Sequence, residues 1–301
     1  MKQSIYQSFG KLSKDRLSTC CAAVFFLLFF CGGVLHAQED DKAKKKDSLD
    51  QKIYKLNYKS EIPITAGLYI LNYAGFRVLE NKPVLDSLEI VSLDKNDVWS
   101  FDRVALNQSV DQRYNAADIS DWGMYVSVVL PGLLALDDDI RKDWLDLLVL
   151  YLETQAINTS LYITAGPLFT KRVRPFVYYD EIPYEEKTGT GTTDSFFSGH
   201  TSTAATASFF MAKVYSDYHP ELGNKKYWLF AAALVPPAFV GYYRYRALKH
   251  FPTDVIMGTA VGAATGILVP HFHKIIRRKS EKLSIVPVGG RFTGVSLSLK
   301  F

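Results

Sequence analysis

Six apolar segments in succession constrain this chain more than anything else in it. They are "IPITAGLYILNYAGFRVL" from Ile62, "DWGMYVSVVLPGLLAL" from Asp121, "DWLDLLVLYLETQAINTSLYITAGPLF" from Asp143, "GHTSTAATASFFMAKVY" from Gly199, "YWLFAAALVPPAFVGYYRYRALKH" from Tyr227 and "TDVIMGTAVGAATGILV" from Thr253. Pro63 suits a first helical turn, and Pro236 with Pro237 predicts a kink in the fifth segment. Close-spaced Gly and Ala in the sixth suit tight contact between helices. The pattern predicts an all-α, multi-helix bundle over residues 59–280. The uninterrupted apolar lengths, mostly about 14–17 residues, fall short of the roughly 20 that cross a bilayer upright. They leave crossing open, while the small-residue faces lean toward membrane association.

The two ends of the chain read differently. Lys2, Lys11, Lys14 and Arg16 precede the apolar run "CCAAVFFLLFFCGGVL", which ends at Ala37 before "QEDD". Residues 1–37 therefore read as a cleaved secretory signal peptide. The rival is an uncleaved anchor, since Leu35 is bulky for the position two before the cleavage point; a lipoprotein signal through Cys31 fits less well. All three cysteines (Cys20, Cys21, Cys31) lie in this segment, so the mature chain needs no disulfide. Removing four basic residues and one acidic residue takes the formal charge from +4 to +1, which gives no reason to expect nucleic acid as a partner. Residues 38–58 are charge-rich and read as a solvated linker. Residues 281–301 change period, and "LSIVPV", "GG" and "RFTGVSLSLKF" predict a short C-terminal β-hairpin turning at Gly289-Gly290.

Three short segments at helix ends carry the chemistry: "KRVRP" (Lys171 to Pro175), "SGH" (Ser198 to His200) and "RYRALKHFPTD" (Arg244 to Asp254). Phosphoryl transfer without a metal needs fixed cations for the oxygens, and Arg pairs two oxygens at once. It also needs helix N-terminal N–H groups, a nucleophile and an acid for the leaving oxygen. Arg174 and Arg244 supply the clamp. Ser198 caps the helix that begins at Gly199, whose missing side chain lets an anion approach the backbone. His250 is the nucleophile, Asp254 four residues later reaches back to fix its tautomer, and His200 is the proton donor. Each piece alone has an ordinary reading: a capped helix, a snorkelling arginine, a basic helix end stopped by proline.

Together the segments resemble the signature of the type 2 phosphatidic acid phosphatase family, which shares its helical core with vanadium haloperoxidases. That signature is K-x6-R-P, P-S-G-H and S-R-x5-H-x3-D. Arg174-Pro175, Ser198-Gly199-His200 and Arg244, His250, Asp254 match it at the right spacing, and the resemblance covers roughly residues 60–280. It implies a helical bundle with a buried oxyanion site, a phosphohistidine on His250, His200 as acid, and neither metal nor cofactor. It also implies a phosphorylated lipid or isoprenoid substrate, a monoester or pyrophosphate, met at the periplasmic face of a bacterial envelope. Three positions depart from the signature: Pro167 stands where the lysine belongs, Phe197 where the proline belongs and Tyr243 where the serine belongs. Lys171, one helical turn past Pro167, is the expected stand-in for the lysine.

The same residues fit a vanadate-dependent haloperoxidase or a non-catalytic envelope scaffold, though the modest size, leader and apolar helices favour a phosphatase. The stretch Phe176 to Phe196 has the length of a lid or binding loop, with Tyr178, Tyr179 and Tyr184 placed either to meet an acyl chain or to pack; its acidic residues disfavour anions at the mouth. His271 and His273 have no Cys, Asp or Glu close by in sequence and read as a helix-end pair. His219 reads as a surface turn residue, and Asp102-Arg103 as a structural ion pair.

Overall fold

The computed structural model describes residues 52–54, 56–288 and 294–299, and side chains only up to residue 274. The expected signal peptide and most of the expected linker lie outside these residues, as does the Gly289-Gly290 turn. Backbone segments Leu283–Val288 and Gly294–Leu299 run antiparallel to each other.

The longer helices among the described residues are α1 Tyr58–Glu80, α2 Arg113–Val129, α3 Trp144–Ala165, α4 Gly199–Tyr218, α5 Lys226–Ala232, α6 Val235–Arg246 and α7 Pro252–Lys282. The helix expected from Asp121 starts two turns earlier and continues beyond Val129 as a tighter 3₁₀ stretch, Leu130–Leu136. The break between α5 and α6 falls just before Pro236 and Pro237, which occupy the first turn of α6, where a missing N–H costs nothing.

Pairing along the helices gives their directions. Tyr58 meets Asp146, Asn72 meets Ala156, and Lys82 meets Pro167, so α1 and α3 run parallel. Tyr218 at the end of α4 bonds Asp143 beside the start of α3, so those two are antiparallel. α4 and α7 run parallel and very close: a methyl added at Gly258, Gly262 or Gly266 would overlap the carbonyls of Ser198, Ser202 and Thr206. Glycine every fourth residue keeps one face of α7 bare. As a result α4 and α7 both begin at the end of the bundle where α1, α3 and α6 finish.

Tyr54 and Leu56, inside the expected linker, are instead buried with Leu150, Phe210 and Val214 in the main core. A second apolar cluster, with Val177, Leu248 and Phe251 at its centre, supports the other end of the bundle.

Three stretches are long and apolar enough to cross a membrane: Tyr58–Glu80, Arg113–Leu136 and Pro252–Lys274. Several of their polar residues, which shorten the uninterrupted runs, are satisfied internally. Asn72 is buried and bonds Ala156 O and Ser160 Oγ on α3, and Thr259 and Thr265 donate to carbonyls of their own helix. Outward, α1 presents Ile62, Ile70, Leu71, Tyr73 and Val78, each at least half exposed. An apolar face of that extent marks a surface that meets something other than water.

Candidate active site

The site forms where the chain leaves α3 and enters α4 and α7. α3 ends at Ala165, capped by the Gly166 N–H on Tyr162 O at 3.0 Å. Residues 171–175 therefore do not close a helix, contrary to expectation. Residues 171–174 run extended against residues 192–195, with Arg172 N donating to Thr193 O and Arg174 N to Thr192 O at 3.0 and 2.8 Å, and Pro175 opens a 3₁₀ turn. Extended backbone alternates sides every residue, so Arg172 and Arg174 face inward together and Lys171 faces away.

That alternation corrects one expected role. Lys171 is exposed and pairs with Glu89, outside the site. The ammonium that does reach Pro167 is Lys82, from just beyond the end of α1; it donates to Pro167 O at 2.7 Å and to Asp194 Oδ1 at 2.6 Å. Arg174 is held by two backbone carbonyls, its Nε on Gly191 O at 2.7 Å and its Nη1 on Lys249 O at 3.3 Å. Arg172 bonds Thr253 Oγ1, Asp254 and Asp102 Oδ2, and lies over the Phe251 ring. Asp102 thus pairs with Arg172 and Thr253, whereas Arg103 donates to carbonyls of Val98 and Asn96.

Arg244 closes α6 and is 7% exposed. Its Nη1 donates to Asp121 Oδ1 at 3.1 Å and Ser120 Oγ at 3.3 Å, while its buried Nε has no partner among the described residues. Burial first, then the nearby Arg174 charge, pulls its pKa down to about 10, which still leaves it charged at neutral pH. A buried charged donor left open costs free energy unless something arrives to accept from it.

Ser198 caps α4 as expected: its Oγ accepts from Thr201 N, and its own N–H donates to Asp254 O at 3.0 Å. The first-turn N–H groups of α4 have no helical carbonyl to use. Gly199 turns its bare side to the Tyr162 ring, so its small size serves helix packing. His200 Nε2 lies 2.9 Å from Asp121 Oδ1, the same oxygen that Arg244 holds. Burial, then Arg244, brings the His200 pKa down to about 4, against the opposing pull of Asp121.

His250 is 2% exposed, in the turn between α6 and α7. Its Nδ1 lies 2.6 Å from Ser195 O. A carbonyl only accepts, so Nδ1 carries the proton and the neutral ring keeps its lone pair on Nε2. Burial, then Arg174 and Arg244, hold its pKa well below the usual histidine range. The tautomer is therefore set by the Ser195 carbonyl, and the expected direct bond from Asp254 is not made. Asp254 acts one residue removed: its Oδ2 accepts from Ser195 Oγ at 2.6 Å and from Phe251 N at 2.8 Å, and its Oδ1 takes Arg172.

Arg174, Ser198, His200, Arg244, His250 and Asp254 are thus brought together, and Lys171 is not. Asp121, Ser195, Arg172, Asp102 and Lys82 join them. Beside the two clamp arginines a cleft of about 340 Å³ opens, lined also by Arg113, Tyr114, Glu186 and Lys249. Glu186 is matched by Arg113 Nη2 at 2.6 Å and by the Tyr114 hydroxyl at 2.8 Å. The cleft is accordingly cationic, opposite to what the acidic residues of its loop suggested. Of the loop tyrosines, Tyr179 is buried and bonds Ala105 O, Tyr178 packs on Phe251, and Tyr184 is half exposed. Phe197 and Tyr243, at the other two departures, pack against Tyr162 and Phe239.

No curated protein matches the chain. Among solved structures, one similar chain is the first transmembrane PAP2 type phosphatidylglycerolphosphate phosphatase from Bacillus subtilis, at 22% identity over 74% of this chain and 99% of that one, with a TM-score of 0.40. The family model of the PAP2 superfamily matches residues 143–278. The segment that holds Arg174, His200, Arg244, His250 and Asp254 belongs to the PAP2 superfamily.

Proposed function

We propose that this protein is a metal-independent phosphatase that hydrolyses a phosphomonoester or pyrophosphate on a lipid or isoprenoid, through a phosphohistidine. The observation that carries the proposal is the pairing of a buried neutral His250, its Nδ1 proton held by Ser195 O, with the open Nε of Arg244. In the reaction, His250 Nε2 forms a bond to phosphorus as the bond to the leaving oxygen breaks. Arg174, Arg244 and the first turn of α4 hold the negative oxygens. His200 gives a proton to the leaving oxygen, then takes one from the water that releases phosphate from His250. Without a ligand, His200 is neutral at pH 7. A bound phosphate offsets the Arg244 charge, so substrate binding and protonation of the acid go together.

A lipid-linked substrate fits the apolar exterior of α1 and the three helices long enough to span a bilayer. The leader-like residues 1–37 support export in a bacterial envelope. The test is phosphate release by the full chain from lipid phosphates, isoprenoid pyrophosphates and soluble esters, with His250→Ala as control and acid quenching to trap an acid-labile phosphoprotein. Undiminished release by His250→Ala overturns the proposal. Halide oxidation that depends on added vanadate, without phosphate release, transfers the site to the haloperoxidase reading.

A further inference from the structure

Far from the clamp, three helices each contribute one ionisable side chain to a single point. Glu61 comes from the first turn of α1, Glu153 from the middle of α3 and His273 from the far part of α7. His273 Nε2 lies 3.2 Å from Glu153 Oε2 and 3.8 Å from Glu61 Oε2, and the three ligand atoms all lie within 4.8 Å of one another. Side-chain exposures are 14% for His273, 19% for Glu61 and 9% for Glu153. The sequence hides this cluster, because its two carboxylates stand far from His273 along the chain.

Two features set it apart from an ordinary ion pair. First, among the described residues Glu153 Oε2 is buried and accepts no hydrogen bond, and Thr65 Oγ1, one turn along α1 from Glu61, is also buried without a partner. Second, His273 Nδ1 lies 2.9 Å from Val269 O, so Nδ1 carries a proton. Nε2 then faces two carboxylates, an arrangement that holds only with a proton or a metal cation among them. A proton on Nε2 supplies one positive charge against two negative ones, and buried charge left uncompensated is costly. A divalent cation balances two carboxylates and a neutral imidazole. A histidine whose other N–H is fixed by a backbone carbonyl is also the usual state of a metal ligand.

We propose that Glu61, Glu153 and His273 form a binding site for a divalent transition cation, zinc foremost, that fastens α1 to α3 and α7. Zinc bonds to nitrogen and carboxylate oxygen are near 2.0–2.2 Å, which places ligand atoms of a tetrahedral centre roughly 3–3.5 Å apart. The spacing here needs only small side-chain shifts, and water completes the coordination. The site is separate from phosphate release, and α1 lies outside the segment matched by the family model. The ion's role is to hold that extra helix to the family core.

The experiment is calorimetric titration of ZnCl2 into the chelator-treated full chain in detergent, with thermal unfolding in parallel. The expected result is one ion per chain and a rise in unfolding temperature. Glu153→Gln and His273→Gln should each weaken binding by about 100-fold while phosphate release is retained. Glu61→Gln, at the most exposed ligand, serves where a buried substitution fails to fold. His200→Ala/His250→Ala, which removes the two histidines of the candidate active site, should still bind one ion. Absence of binding overturns the proposal, as does binding that survives Glu61→Gln and Glu153→Gln or disappears in the His200→Ala/His250→Ala protein.

Discussion

Where α3 begins and α4 finishes, Lys213, Lys274 and the Tyr54 hydroxyl converge on Asp217, Tyr218 bonds Asp143, and Lys52 with Tyr58 bonds Asp146. At the opposite end of the same helices, Arg174 rests on carbonyls, Arg244 keeps an unclaimed Nε, and His250 offers Nε2. Both ends collect charge where helices end, because the bundle interior has no room for it. At the first end Asp143, Asp146 and Asp217 are matched internally. The other leaves donors and a lone pair open in a pattern that an oxyanion completes. The contrast teaches that charge density alone does not mark a binding end; open donors converging with a free lone pair on rigid supports are what an oxyanion requires.

Removing His250 should test the open end most severely: His250→Ala should lower phosphate release by about 10⁴-fold or more, with thermal unfolding little changed. At the closed end, Asp217→Ala leaves Lys213 and Lys274 without their shared carboxylate. It should cost about 3–5 kcal/mol in denaturant unfolding while turnover per folded molecule stays normal; a loss of turnover instead would erase the distinction between the ends. Asp254→Asn should cost about 100-fold in turnover, because Ser195, Arg172 and the start of α7 lose a charged acceptor and His250 loses its frame. Lys82→Met should reduce turnover about tenfold by releasing the Asp194 loop, and Lys171→Ala should stay within about twofold of the parent. The reverse order would restore Lys171 to the site.

The smallest effect concerns pH. His200 and His250 are held neutral in the fold, whereas in the unfolded chain they protonate near 6.5. Over the window from about 6.5 down to about 4 the unfolded chain binds more protons. Stability contributed by these rings is therefore full above that window and declines as pH falls through it. Unfolding temperature should drop across this range, and His200→Gln should flatten the drop. An unchanged slope in that variant would mean that His200 does not carry the effect.

Much of the site is legible in the sequence because its key members sit in short segments with fixed spacing. Arg244, His250 and Asp254 span one helix junction, and Ser198 to His200 form one helix start. Lys171 was misplaced for a local reason: reading 171–175 as helix put it on the face of Pro167, whereas extended backbone turns it away. The same alternation, applied to "KRVRP", would have singled out Arg172. Asp121, Ser195 and Lys82 were out of reach, since each meets the site only through pairing across long stretches of chain. The helical fold was readable from the apolar segments, but burial of Tyr54 was not, because it depends on Asp217 far along the chain.

The opposed placement of the start of α1 and the candidate active site has a topological consequence. If α1 threads the bilayer, Lys52 and His250 lie on opposite sides of the membrane, whichever way the bundle is inserted. Export of residues 38–57 then puts hydrolysis on the inner side. An outward-facing pocket requires either that those residues stay inside or that α1 lies along the membrane without crossing. Lys52→Cys, in a chain with Cys20, Cys21 and Cys31 replaced by serine, probed with an impermeant thiol reagent alongside a protease-protection readout for α1, therefore reports which leaflet delivers the substrate.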